Sequence, residues 1–81
     1  MQVKLSKRAE KYYLSQDSIT RQRLKRGLKG LEDEPFTGDI VPMHGIPNTY
    51  RLRVGKYRIL FSVDDDTVIA TNIDSRGQVY K

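Results

Sequence analysis

The sequence has no cysteine and no tryptophan, and only one histidine, His44, in 81 residues. Without cysteine there is no disulfide framework and no thiolate metal site. A single histidine excludes a multi-histidine zinc site. No apolar run approaches the roughly 18 residues of a membrane span. The first residues, MQVKLSKR, carry charges but no long apolar stretch after them, so no secretory leader is expected and the cytosol is the default compartment. There is no internal repeat and no low-complexity tract. At this length residues 1–81 are expected to form one domain around one small core.

What is present is positive charge. Fifteen Lys+Arg against ten Asp+Glu leave a formal charge of +5. Residues 1–30 hold nine basic and two acidic side chains, and residues 31–50 hold four acids and no Lys or Arg. Residues 51–58 then hold four basic side chains and no acid. Such a balance suggests a polyanionic partner, nucleic acid first. The acidic run at 64–66 reads as a solvated turn, and His44, in a Pro/Gly loop, as a bland loop residue.

Hydrophobic periodicity gives the element order. Val3 and Leu5 alternate with Gln2 and Lys4, a short strand. Ser6 is placed to cap a first helix with Ala9, Tyr12 and Tyr13 on one face, both tyrosines read as core. Asp17 or Ser18 caps a second helix, in which Leu24, Leu28 and Leu31 form the buried stripe. Gly27 and Gly30 weaken that helix by up to about 1 kcal/mol each, and the expected compensation is close approach of the first helix. Residues 35–49, with three prolines and two glycines, read as a surface loop. From Tyr50 the period is two: a strand at 50–54, a Gly55-Lys56 turn of type II′, a strand at 57–63 and another at 68–73. A short extended tail follows. The fold expected is α+β, with two N-terminal helices packed on one face of a mostly antiparallel four-stranded sheet, in the order β-α-α-β-β-β.

The turn fixes the hairpin register: Val54 opposes Tyr57, Arg53 opposes Arg58, Leu52 opposes Ile59 and Arg51 opposes Leu60. Leu52, Val54, Tyr57, Ile59 and Phe61 then face the helices, and Arg51, Arg53 and Arg58 share the other face. Like charges directly opposite, with Cβ atoms about 5 Å apart, are destabilising. The hairpin offers these arginines no acid, so the arrangement suits a phosphate or nucleic-acid backbone that brings the missing negative charge. Arg21, Lys25 and Lys29 form a second basic ridge, at steps of four along the second helix.

The stretch YRLRVGKYRILF from Tyr50, followed by IDSRGQVY from Ile73 and preceded by MHGIP from Met43, resembles the RelE/ParE superfamily of bacterial and archaeal type II toxins. The resemblance runs over the whole chain in element order. It implies a RelE-like fold and a ribosome-dependent endoribonuclease cutting mRNA in the ribosomal A site, without metal or cofactor. In that chemistry the ribose 2′-OH attacks the adjacent phosphate, leaving a 2′,3′-cyclic phosphate and a 5′-OH. The family's catalytic positions correspond to Arg51, Arg53, Arg58, Arg76 and Tyr80. Arg21, Lys25, Lys29 and Lys56 are the residues expected to touch RNA or ribosome. The implied partners are a cognate RelB-type antitoxin, mRNA and the ribosome, with no membrane. Some relatives carry lysine where this chain has Arg51 and Arg53, and often a basic residue at Ser75. Arginine does not deprotonate, so the general base is unassigned and Tyr80 is the one candidate among the matched residues. With Lys81 as the last residue, the further C-terminal helix of some members is not expected. Two alternatives stay open: a ParE-type inhibitor of DNA gyrase that cleaves no RNA, and a noncatalytic RNA-binding module.

Overall fold

The computed structural model describes residues 1–75. Its elements are β1 (Gln2–Leu5), α1 (Lys7–Leu14), α2 (Ser18–Gly30), β2 (Asp39–Pro42), β3 (Thr49–Val54), β4 (Tyr57–Asp64) and β5 (Thr67–Ser75). The sheet order is β1-β5-β4-β3-β2, with β1 parallel to β5 and every other pair antiparallel. The two helices pack on one face, so the architecture is α+β as expected, with one more strand than the sequence suggested.

The additional strand is β2, in the stretch read as loop. Its exposed, non-alternating burial and its proline hide it from a period-two search. Among the described residues it pairs only with β3, along Asp39–Pro42 against Arg53–Tyr50, and is an edge strand, where a proline lacking N–H is tolerated.

The helix starts are set by side-chain caps. Ser6 Oγ accepts from Ala9 N–H at 3.1 Å, and Asp17 Oδ1 accepts from Thr20 N–H at 2.8 Å. Leu24, Leu28 and Leu31 lie buried with Leu52, Ile59, Phe61, Val68 and Ile73 in one core. Phe61 stacks on Tyr50 and meets Phe36 edge-on, with ring centroids 5.5 and 5.7 Å apart. Each large apolar side chain buried this way is worth about 1.5–3 kcal/mol.

The glycines of α2 do allow a close approach, but not by α1. A Cβ on Gly27 would stand 2.6 Å from Val54 Cγ2, and one on Gly30 would stand 2.5 Å from the Thr37 carbonyl oxygen. The helix is thus pressed against β3 and the chain leading to β2. Gly55 turns the β3–β4 hairpin with φ +59, while Lys56 keeps a negative φ, as a type II′ turn requires.

One irregularity positions the outer face. Leu60 pairs with Asn72, but Phe61 pairs with Ala70, so Thr71 is an extra residue in β5. The bulge resets the alternation. Val68 and Ala70 are buried before it and Ile73 after it, which turns Asn72 and Asp74 onto the outer face. Among the described residues no helix is long and apolar enough to cross a membrane.

Candidate functional site

The register across β2, β3, β4 and β5 aligns four charged residues in one row: Asp39, Arg53, Arg58 and Asp74. The two arginines stand opposite each other, as the turn dictated. Each also has a carboxylate on its outer side. Arg53 Nε and Nη2 both meet Asp39 Oδ2, at 2.8 and 2.7 Å. Arg58 Nη2 meets Asp74 Oδ2 at 3.3 Å, and Asn72 Nδ2 meets the same oxygen at 3.4 Å. This corrects the expectation of an arginine face without acids. The hairpin alone has none, but β2 and β5 supply one on each flank. The row is formally neutral, so the Arg53–Arg58 repulsion is offset within the protein.

The remaining arginine keeps the site basic. Arg51 pairs in register with Leu60 and makes no ion pair among the described residues. Arg51 Nε, Arg58 Nε and Asp74 Oδ1 are buried yet have no hydrogen-bond partner among the described residues. A guanidinium has five N–H donors, and Arg58 spends one on a long contact. The arrangement therefore still offers forked donors to a phosphate oxygen, with Asp39 and Asp74 fixing the guanidinium planes beforehand.

Arg76 and Tyr80 lie outside the described residues. The other expected contacts do not converge on the arginine face. Arg21 Nη1 donates to the Gln16 carbonyl and braces the α1–α2 corner. Lys25 and Lys29 rim a groove on the far flank of α2, beside Val3, Leu5 and Tyr13. Lys56, at the hairpin tip, stands 5.5 Å over the Tyr57 ring, a cation–π contact. Tyr12 and Tyr13 pack against the core as expected. Burial raises the Tyr12 hydroxyl pKa first, with Tyr57 and Asp74 adding to it. His44 is exposed in its loop.

Sequence reasoning missed Asp39 and Asp74. Asp39 sat in a stretch read as loop. Strict alternation from Val68 and Ala70 would have turned Asp74 toward the helices, and only the bulge reverses that.

A family model described as the ParE toxin of the type II toxin-antitoxin system parDE matches residues 3–80. The chain belongs to this toxin family. It is a type II toxin of the RelE/ParE superfamily, as the motifs implied. Toxin RelE3 of Methanocaldococcus jannaschii is 43% identical over 42 residues, 52% of this chain and 48% of that one. The match thus spans about half the length of that relative. Among solved structures, the toxin fold recurs in the archaeal RelE-RelB complex from Pyrococcus horikoshii OT3. There the TM-score is 0.80 at 27% identity, covering 95% of this chain and 96% of the other. The RelB-RelE antitoxin-toxin complex from Methanococcus jannaschii gives a TM-score of 0.76 at 28% identity, over 94% and 93% of the two chains.

Proposed function

We propose that this toxin is a ribosome-dependent endoribonuclease that cleaves mRNA in the ribosomal A site. The observation that carries the reading is the gathering of Arg51, Arg53 and Arg58 on the sheet face the helices leave open, with Arg51 in no ion pair among the described residues. In the proposed reaction the 2′-oxygen bonds to phosphorus as the bond to the 5′-oxygen breaks. The 2′ proton leaves to a base, and the 5′-oxygen takes up a proton. Charge grows on the nonbridging oxygens, where preorganised arginines stabilise it most effectively. Arg58 and Arg53 are the proposed holders of the scissile phosphate, with Arg51 beside them. Arg76 and Tyr80 complete the set by resemblance, Tyr80 to stack on a base or handle a proton.

None of the three arginines of the open face can act as a base, so free RNA should be cut negligibly. The ribosome must order the mRNA and supply what the toxin lacks, an entropy trap in which positioning does much of the work. The work would be done in the cytoplasm, and the proposed partner that silences it is a RelB-type antitoxin, since the solved relatives include RelE-RelB complexes.

A second reading is a ParE-type inhibitor of DNA gyrase. The family model over residues 3–80 bears that name, and the acids beside Arg53 and Arg58 reduce the demand for a phosphate there. Induced expression with mapping of mRNA 5′ ends, alongside a gyrase supercoiling assay, separates the two. Codon-phased 5′ ends with unaffected supercoiling are expected. Blocked supercoiling with intact mRNA would replace this reading with the second, and absence of growth arrest would overturn both.

A further inference from the structure

A cleft of about 300 Å³ lies between the flank of α2 and the end of β3. Three arginines line it: Arg23 and Arg26 from α2, and Arg53 from β3. Among the described residues no acidic side chain lines it, and Arg23 and Arg26 make no ion pair. The two stand three positions apart and so share one flank of the helix, where like charges repel. Arg53, whose guanidinium is held by Asp39, stands in the outer-face row and also lines this cleft. The ridge of Lys25 and Lys29 lies on the other flank and does not reach it.

We propose that this cleft is a second phosphate-binding subsite, which takes the backbone of an RNA strand continuing past Arg53 from the outer sheet face. The proposal rests on the RNA reading given above and deepens it by assigning Arg23 and Arg26 to strand binding. One physical point favours RNA over an acidic peptide as occupant. The cleft borders the arginine face at Arg53, which lines the one and stands in the other.

The test is equilibrium binding of a single-stranded RNA of about ten nucleotides to the free toxin, with 2′-O-methyl riboses to prevent cleavage, across a salt series. Arg23→Gln/Arg26→Gln is compared with Lys7→Gln/Lys11→Gln, which removes the same charge from exposed positions on α1. Losing two phosphate contacts should lower the slope of log K against log salt by about 1.4, and each single variant by about 0.7. The α1 pair should leave the slope unchanged, and Arg23→Lys/Arg26→Lys should retain most of it. Melting curves establish that each variant is folded, and the single variants serve if the double does not fold. An unchanged slope in the α2 variants, or an equal fall in the α1 pair, overturns the subsite while wild-type RNA binding still stands. Wild type that binds no RNA at any salt concentration overturns the subsite and the RNA reading together. Loss of affinity for an acidic antitoxin peptide with an unchanged RNA slope would assign the cleft to that partner and overturn the proposal.

Discussion

Arg58 stands between opposing influences: Arg53 directly across from it, and Asp74 3.3 Å away on the next strand. Its side chain is 20% exposed and that of Asp74 27%. Removing the arginine relieves one repulsion but costs the mostly buried Asp74 carboxylate its ion pair, leaving it the Asn72 amide at 3.4 Å. The second effect wins, because a mostly buried charge without its counterion costs more than a solvated surface pair gains. Arg58→Ala is therefore expected to lose about 1 kcal/mol, a fall of roughly 4–8 °C in melting temperature for a domain this size. Under the proposed function it also abolishes growth arrest. Arg58→Ala/Asp74→Ala should recover most of the stability and none of the toxicity, which separates holding the fold from holding a phosphate. Arg58→Lys should restore little activity, since a point charge does not replace a bidentate fork. Full toxicity in Arg58→Ala would remove the centre of the proposed site. At this scale the sequence was half legible. A two-residue turn fixes which hairpin residues oppose each other, so the arginine face could be read directly. The flanking acids could not, because Asp39 reaches Arg53 only through an edge strand and Asp74 reaches Arg58 only through a bulge.

Elements formed where local signals were strong. Ser6 caps α1 as expected, Asp17 is the one of the two candidates that caps α2, and Leu24, Leu28 and Leu31 are buried as their spacing implied. Sequence did not say what α2 packs against, because the fit of a glycine is a property of its neighbour. That neighbour now sets an expectation opposite to propensity. Gly27→Ala and Gly30→Ala each favour an isolated helix by roughly 1 kcal/mol, yet both should destabilise this protein. At Gly27 the obstacle is a methyl of a stiff β-branched valine, and at Gly30 it is backbone oxygen. Overpacking of this kind costs about 1–3 kcal/mol, so Gly30→Ala should melt lower than Gly27→Ala, and both below wild type. A rise in melting temperature for either would show that α2 can back away from the sheet. The cap at Asp17 gives a pH signature. Its hydrogen bond from the Thr20 amide lowers its pKa below the usual carboxylate range. A folded-state pKa below the unfolded one contributes stability above the unfolded value, near pH 4, and loses it as pH falls through the lowered one. The melting-temperature gap between wild type and Asp17→Ala should thus be steady at neutral pH and shrink below about pH 4. A gap that persists unchanged into strong acid would mean that the carboxylate charge is not what caps the helix.

For the molecule as a whole, a formal charge of +5 and one small core belong together. A chain of this size buries only about 60% of the surface its unfolded form exposes, which leaves a thin margin of stability. Self-repulsion among like charges narrows it further. A partner that binds the folded state alone widens it by mass action, about 2.7 kcal/mol when present at a hundred times its Kd. For the proposed antitoxin that corresponds to a rise of roughly 10–20 °C in the toxin's melting temperature. The charge also sets the kinetics. Nine of the fifteen basic side chains lie in residues 1–30, with two acids among them, so this segment presents a mainly positive field to the antitoxin, whose toxin-binding segment we propose to be acidic. Such a field accelerates encounter at low ionic strength and is screened beyond about 8 Å at physiological salt. Stopped-flow mixing of toxin with antitoxin should show an association rate that drops steeply with added salt while dissociation changes little. If the exposed Lys7 and Lys11 act through the field alone, Lys7→Gln/Lys11→Gln should slow association and leave dissociation untouched, and faster dissociation would assign them a contact. Association indifferent to salt would mean that shape and apolar burial alone bring the pair together, and that the charge serves the RNA and not the antitoxin.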